Sequence, residues 1–322
     1  MVPHAQLAPS NATHRQLHQM HHEFHKAGTF CMGNKLAPLV LLMGCQRCGT
    51  NSLYEDLMDH VHGARRGHPL KGEPEHYGRE QHFYATDTWS KGTSHYLEHF
   101  PACPAKSSSF QFVIDATPAY MRKPIVADRI PEVLPSGAVP KLKMLFLLRD
   151  PTRRLYAYWD TFVLAGTGVN NFDAWVEATM KKVAACQKKN GDQLWPPPED
   201  CDTDTVEGVA AGLYAYQLIY YSHRFDAKQF FVTTLNAYEA NPTGVLHDVA
   251  KFVGASGTLA GSKRSAGETF SVKVHGAMSD WARKDLGRFY REHNAQLIHF
   301  FNNQPRFTYS PSLKGMGVQD WD

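Results

Sequence analysis

Leu39-Val40-Leu41-Leu42-Met43-Gly44-Cys45-Gln46-Arg47-Cys48-Gly49-Thr50-Asn51-Ser52-Leu53 is the stretch on which the reading of this chain turns. Its first five residues are apolar without a break, as a parallel-sheet strand buried on both faces requires. A glycine-containing turn follows, and between Ser52 and His60 the residues Leu53, Leu57 and Met58 recur at helical spacing. The order is strand, glycine loop, helix. Such a loop turns backbone N–H groups toward the positive end of a helix, where an anion is attracted.

Working outward, further apolar strands are expected at Phe110–Ile114, Leu142–Leu148 and Gln229–Thr233. Helical patterns fall between and after them, at Arg153–Phe162, Gly212–Arg224 and Val245–Val253. Strands alternating with helices predict an α/β fold: a single domain with a central, mostly parallel sheet flanked by helices. Three strand ends carry polar or charged residues, namely Gly44–Ser52, Asp115–Tyr120 and Arg149–Arg154. In an open α/β sheet the ligand binds outside the carboxyl ends of the strands, so this rule gathers all three on one rim. The first segment is close to the nucleotide-binding pattern G-x-x-x-x-G-K-[ST], but Thr50 stands at the lysine position and Asn51 after it. The cation sits earlier, at Arg47. A Walker lysine serves a β/γ-phosphate pair with magnesium; a cation inside the loop suits a shorter phosphate chain without a metal.

The 322 residues hold 34 Lys plus Arg and 31 Asp plus Glu, a net charge of +3. That near-balance argues against the broad basic field that duplex nucleic acid demands. With 43% apolar and 20% charged residues, the chain carries a full core and is neither a disordered tail nor a disulfide miniprotein. The longest apolar run, Leu36–Cys45, is about half of the roughly 20 residues that span a bilayer, and no secretory signal is visible at Met1–Ser10. Residues 1–35 read as a His-rich arm, with His21 and His25 four apart as on one helix face, although a solvated helix or tail is the plainer reading of it than a metal site. Asn11-Ala12-Thr13 is a glycosylation triplet. The domain is expected over 36–310, with 186–207 a surface insertion and 311–322 a C-terminal tail. Among the six cysteines, Cys186 and Cys201 flank the insertion and can close it by a disulfide. Cys45 and Cys48 form a C-x-x-C and read as small loop residues, with a redox role the lesser alternative. No metal site is expected.

These segments together resemble the PAPS-dependent sulfotransferases, in particular the carbohydrate branch with the heparan sulfate N- and 3-O-sulfotransferase domains; PAPS is 3′-phosphoadenosine 5′-phosphosulfate. The loop resembles that family's 5′-phosphosulfate loop. Arg149-Asp150-Pro151 with Arg153-Arg154-Leu155-Tyr156 resembles its 3′-phosphate element, and Glu80-Gln81-His82-Phe83-Tyr84 with Lys91-Gly92 and Tyr96–Pro101 resembles the segment that carries the catalytic carboxylate. Asp115-Ala116-Thr117-Pro118-Ala119-Tyr120, Gly212-Leu213-Tyr214-Ala215 leading to Phe252-Val253-Gly254, and Phe289-Tyr290-Arg291 complete the likeness over about residues 38–305. The departures are Ala157 where the family has serine, Arg47 where the heparan sulfate enzymes have lysine, Ala116 in place of a lysine, and the absence of a C-terminal cysteine pair and K-G-R loop, whose nearest counterparts are Lys273 and His275.

The resemblance implies a P-loop-like sulfotransferase fold and transfer of the sulfuryl group of PAPS to an acceptor hydroxyl, foremost on a carbohydrate. Sulfuryl transfer needs in-line positioning, a base for the acceptor proton and charge at the leaving phosphate. Glu80 is the expected base, ahead of Glu73 and Glu75; Arg47 the charge at the leaving phosphate; and His82 a partner that orients the acceptor or tunes Glu80. Arg47, Cys48, Gly49, Thr50, Asn51 and Ser52 are expected around the 5′-phosphate, Arg149 on the 3′-phosphate, and Tyr214, Lys273 and His275 at the nucleotide. Loops 62–109 and 163–210 are expected to build the acceptor cleft, where Tyr77, Phe83, Tyr84, Trp89 and Trp195 either stack on sugars or pack on each other. The alternatives are a small alcohol, phenol or amine as acceptor, a P-loop kinase or NTPase in which Asp115 holds magnesium, and a non-catalytic protein that binds nucleotide or glycan.

Overall fold

The structure is a computed structural model that describes residues 21–167, 169–191, 193–201, 203–255, 277–303, 307–309 and 321. Lys273, His275, the Asn11 triplet, His4, His14, His18 and nearly all of the expected C-terminal tail lie outside the described residues.

Among the described residues six strands form the central sheet. They are β4 (Val40–Gly44), β5 (Ala64–Arg65), β6 (Phe112–Asp115), β7 (Lys143–Leu148), β8 (Phe230–Thr234) and β9 (Thr308–Tyr309), in the spatial order β5-β6-β4-β7-β8-β9. Every neighbouring pair is parallel. Side chains alternate across the sheet, so both faces need cover. Leu41, Met43, Met144, Phe146 and Leu148 enter one core, and Val40, Leu42, Leu145 and Leu147 the other. This is why those strands read as unbroken apolar runs.

Helix α1 (Thr50–His60) follows β4, and α2 (Gly92–Glu98) and α3 (Pro124–Val133) precede β6 and β7 respectively. After β7 comes α4 (Pro151–Tyr158), which runs on through a π turn, Trp159–Val163, into Leu164–Thr167. Then follow α5 (Phe172–Asn190), α6 (Thr203–Ala210), α7 (Tyr214–Ser222), α8 (Leu235–Ala240), α9 (Pro242–Val253) and α10 (Asp280–Asn303). Among the described residues no helix is long and apolar enough to cross a membrane.

Two corrections belong here. Part of the expected arm is folded: β1 (His22–Phe24), β2 (Phe30–Met32) and β3 (Lys35–Leu36) form an antiparallel sheet. A Cys31–Cys103 disulfide and the hydrogen bonds Leu36 N–H to Pro101 O (2.9 Å) and Cys103 N–H to Asn34 O (2.8 Å) fasten it to the domain. His21 and His25 therefore share no helix face; His25 ends a strand and lies buried beside Cys31 and Cys103. The 186–207 segment is closed by the expected Cys186–Cys201 disulfide and pinned by Leu194 and Trp195, which are buried, with Trp195 Nε1 donating to Arg122 O (3.1 Å).

Candidate active site

Chain order explains where the site sits. From β4 the chain passes to one side, through β5 and β6, and then crosses to β7 on the other side. The carboxyl ends of β6, β4 and β7 thus lie side by side at the point where the strand order switches, which is where an open α/β sheet makes its crevice. All three predicted strand ends meet there. A cavity of about 430 Å³ lies at the opposite end of the sheet, by Val40 and Lys143, the first residues of β4 and β7, and is separate from this crevice.

The loop from Gly44 to Gly49 is a tight turn between β4 and α1. Gly44 has φ 134° and a side chain there would meet Pro118 O at 2.6 Å; Gly49, the cap of α1, has φ 88° and a side chain would meet Leu235 Cδ1 at 2.8 Å. Only glycine suits both positions. No side chain caps the N-terminus of α1, and no acidic residue occupies its first turn. Its first N–H groups, from Thr50 onward, have no partner within the helix. Arg47 also has positive φ, 68°, and its Nε is buried with no hydrogen-bond partner among the described residues. Burial pushes the guanidinium pKa down and the nearby Asp160 carboxylate pushes it back up; arginine nevertheless stays charged.

Arg149 joins the loop from β7. Its Nη1 donates to the Arg47 carbonyl at 3.1 Å, so the two expected phosphate elements are in contact. Tyr214 completes the joint from behind. Its ring is buried, its hydroxyl donates to Arg149 O at 2.8 Å, and Cys45 Sγ lies 3.2 Å from the Tyr214 hydroxyl oxygen. Burial pushes the hydroxyl's pKa up, so it remains a donor. Tyr214 thereby braces the loop from a buried position. Cys48 is fully buried and bonded to Cys45, which leaves only its backbone for a ligand. Of the remaining loop residues, Thr50 is buried, Ser52 is half-buried and Asn51 is exposed.

Asn51 makes the connection that unites the site. With its amide nitrogen facing Glu80 it donates to Glu80 Oε1 at 2.9 Å and accepts from Arg79 Nη2 at 3.3 Å. Glu80 is thus held against the first turn of α1. Arg79 Nε lies 3.6 Å from Glu80 Oε1 and His82 Nε2 lies 3.5 Å from Oε2. His82 reaches it from a left-handed backbone position (φ 54°). Its N–H donates to Thr117 Oγ1 (3.0 Å), and the Ala116 N–H donates to Arg79 O (2.7 Å), so the Glu80 segment is mounted on the end of β6. Arg79 was not foreseen; its place next to Glu80 was the one available signal.

The rival groups have other partners. Glu73 accepts from Leu70 N–H (2.9 Å) and faces His99 Nε2 (2.9 Å), while Glu75 is exposed. Asp115 is fully buried and accepts from Thr117 Oγ1 (2.6 Å), Tyr120 OH (2.6 Å) and Tyr96 OH (2.9 Å). Burial raises its pKa and these three hydroxyls oppose the rise. A carboxylate enclosed in this way is a structural hub, and it removes the Asp115–magnesium reading of an NTPase. Arg154 is likewise internal: wholly buried, it donates to Gly208 O and lies over the Tyr158 ring, 5.6 Å away. Ala157 is also fully buried, and Arg153 is exposed. Of the aromatic residues, Phe83 stacks on Tyr96 (4.4 Å between centroids), and Tyr84 and Trp89 pack around Phe83. Those rings pack on each other; Trp89 and Tyr77 are half-exposed, Tyr77 beside His82 (5.8 Å).

The chain belongs to the sulfotransferase domain family, which matches residues 37–273. Bifunctional heparan sulfate N-deacetylase/N-sulfotransferase 1 of Xenopus laevis is 24% identical over 280 residues, covering 81% of this chain and 29% of that protein. Carbohydrate sulfotransferase 15 of Homo sapiens is 25% identical over 167 residues, covering 49% of this chain and 29% of that protein. The chain therefore spans less than a third of the length of these relatives. The crystal structure of a sulfotransferase from Alicyclobacillus acidocaldarius shares the fold, with a TM-score of 0.56 at 19% identity, covering 86% of this chain and 99% of that one.

Proposed function

We propose that the chain transfers the sulfuryl group of PAPS to an acceptor hydroxyl, foremost on a carbohydrate. The observation that carries this reading is the buried Arg47 Nε without a partner among the described residues, beside a helix N-terminus that no side chain caps. Both features call for an anion. The link from Asn51 to Glu80 sets a carboxylate at the same place. In the proposed reaction the backbone N–H groups of Gly49, Thr50, Asn51 and Ser52 hold the 5′-phosphate and Arg149 grips the 3′-phosphate. The acceptor oxygen forms its bond to sulfur as the bond from sulfur to the bridging phosphate oxygen breaks. The acceptor proton passes to Glu80, and the electron pair left on the phosphate is stabilised by the fixed charge of Arg47. The leaving phosphate is a weak base and needs no proton, so arginine suffices where a proton donor would not be required. The transfer itself uses no metal.

A carbohydrate acceptor is favoured by the relatives, one named for heparan sulfate and the other a carbohydrate sulfotransferase. Three disulfides, with no free cysteine among the described residues, fit a protein of an oxidising compartment. The test pairs calorimetry on 3′-phosphoadenosine 5′-phosphate with a screen of labelled PAPS against glycans, small alcohols, phenols and amines. Binding of the nucleotide and label transfer to a glycan are expected. Absence of nucleotide binding would refute the donor site, and transfer to small phenols or amines alone would refute the acceptor class.

A further inference from the structure

We infer that Glu73, His95 and His99 form a divalent-cation site, best suited to zinc, that fastens the loop leading to Glu80 onto helix α2. This site is distinct from the donor crevice and does not depend on the sulfuryl-transfer reading. One ligand atom from each of the three residues lies within 4.8 Å of the other two. His95 and His99 are four apart, which sets them one turn apart on the same side of α2 and its C-terminal cap. Their rings meet edge to face at 5.4 Å.

The hydrogen bonds around His99 give the reason. His99 is buried, and its Nδ1 lies 3.2 Å from the Tyr96 carbonyl, a partner that can only accept. The ring proton is therefore on Nδ1, and in the neutral ring Nε2 is a bare lone pair. That lone pair points at Glu73 Oε2, 2.9 Å away. Two lone pairs cannot face each other without positive charge between them. A proton shared by His99 and Glu73 would supply it, but would give the nearby His95 nitrogen no part. A cation uses all three groups. Two neutral imidazoles and a carboxylate are a zinc donor set with one position left for water. A ligating histidine whose other ring nitrogen donates to a backbone carbonyl is the usual arrangement around such an ion. The second cluster of this kind, His25 with Cys31 and Cys103, differs because its two sulfurs are joined in a disulfide.

The consequence is mechanical. Glu73 lies in the turn that starts at Leu70, and the His68 N–H already donates to His99 O at 2.9 Å. An ion at this point adds a cross-link between the 68–73 segment and α2, seven residues before Glu80. It needs no change in the donor loop.

The experiment loads untagged full chain with Zn2+, strips weak sites such as the arm histidines on a chelating resin, and measures retained metal, the visible spectrum of the Co2+ form and the thermal midpoint. The parent and a His62→Ala control should each retain one equivalent, give the intense bands of a four-coordinate Co2+ site and melt higher with metal. His95→Ala and Glu73→Gln should lose that equivalent, with affinity reduced by about 100-fold or more; loss of a mere supporting hydrogen bond costs about 10–100-fold. Glutamine still accepts from the Leu70 N–H, so Glu73→Gln preserves the turn, and its metal-free melting should match the parent. Failure of the parent to retain zinc, or unchanged retention by either variant, overturns the site.

Discussion

Arg47 and Glu80 make different demands on the same few ångströms. Arg47 brings permanent charge to a loop whose own backbone already attracts anions, and its Nε is buried with nothing to bond among the described residues. Arg47→Ala should lower turnover by about 10²–10³-fold, the cost of removing one preorganised stabiliser of developing charge. Arg47→Lys should recover part of that, since charge returns without the planar fork. Steady-state kinetics with labelled PAPS checks both, and a rate within a few-fold of the parent in Arg47→Ala would remove its assigned part. Glu80→Gln keeps shape and hydrogen-bonding capacity but cannot take a proton. Turnover should fall by about 10²–10⁴-fold with nucleotide affinity preserved. Near-normal turnover in this variant would move the base elsewhere.

At the scale of single elements, two joints decide whether these residues meet. The first is the start of α1. Gly49 combines positive φ with a Leu235 methyl 2.8 Å from where a side chain would begin. Gly49→Ala should cost about 1–2 kcal/mol from the left-handed backbone alone, with a further loss from the contact, and nucleotide affinity should fall with it. Chemical denaturation and calorimetry on one preparation separate the two effects. The second joint is the end of β6, where Asp115 collects three hydroxyls and Thr117 passes the connection on to the His82 N–H. Asp115→Ala should cost about 3 kcal/mol or more, because it leaves buried donors without an acceptor. A midpoint shift much smaller than that would mean that the hydroxyls find other partners.

For the molecule as a whole, the small antiparallel sheet at the start of the described chain is a piece of cover held by covalent and backbone bonds. The Cys31–Cys103 bridge spans 72 residues and Cys186–Cys201 spans 15. Loop-closure entropy makes the longer bridge worth about 4 kcal/mol and the shorter about 3 kcal/mol. Replacing each pair by serine should therefore lower stability in that order, measured by urea unfolding of the two double variants. Equal losses would show that native contacts, not loop length, govern the difference.

Local pattern was sufficient for β4, its loop and α1, because an unbroken apolar run, two glycines and a 3.6-residue period are properties of neighbours in the chain. The same holds for the apolar strands β7 and β8, and the rule that ligands sit at carboxyl strand ends brought Arg47, Asp115 and Arg149 to one rim. The identity of Glu80 came from its resemblance to a family segment, and its surroundings came only from the fold. Nothing in the spacing of Asn51 and Glu80 announces that they touch, nor that Tyr214 braces Arg149 from inside. The arm reading failed at residues 22–35 because three very short strands carry almost no periodicity, and what holds them is a cysteine 72 residues away. The two readings of the loop aromatics could be separated only by the fold: Phe83, Tyr84 and Trp89 pack on each other, in a cluster completed by Tyr96 from α2 and Tyr120 from beyond β6. Hydropathy and period report on which face of an element is dry. Which side chain stands opposite depends on the path of the chain between elements, and that is settled only when the whole domain packs.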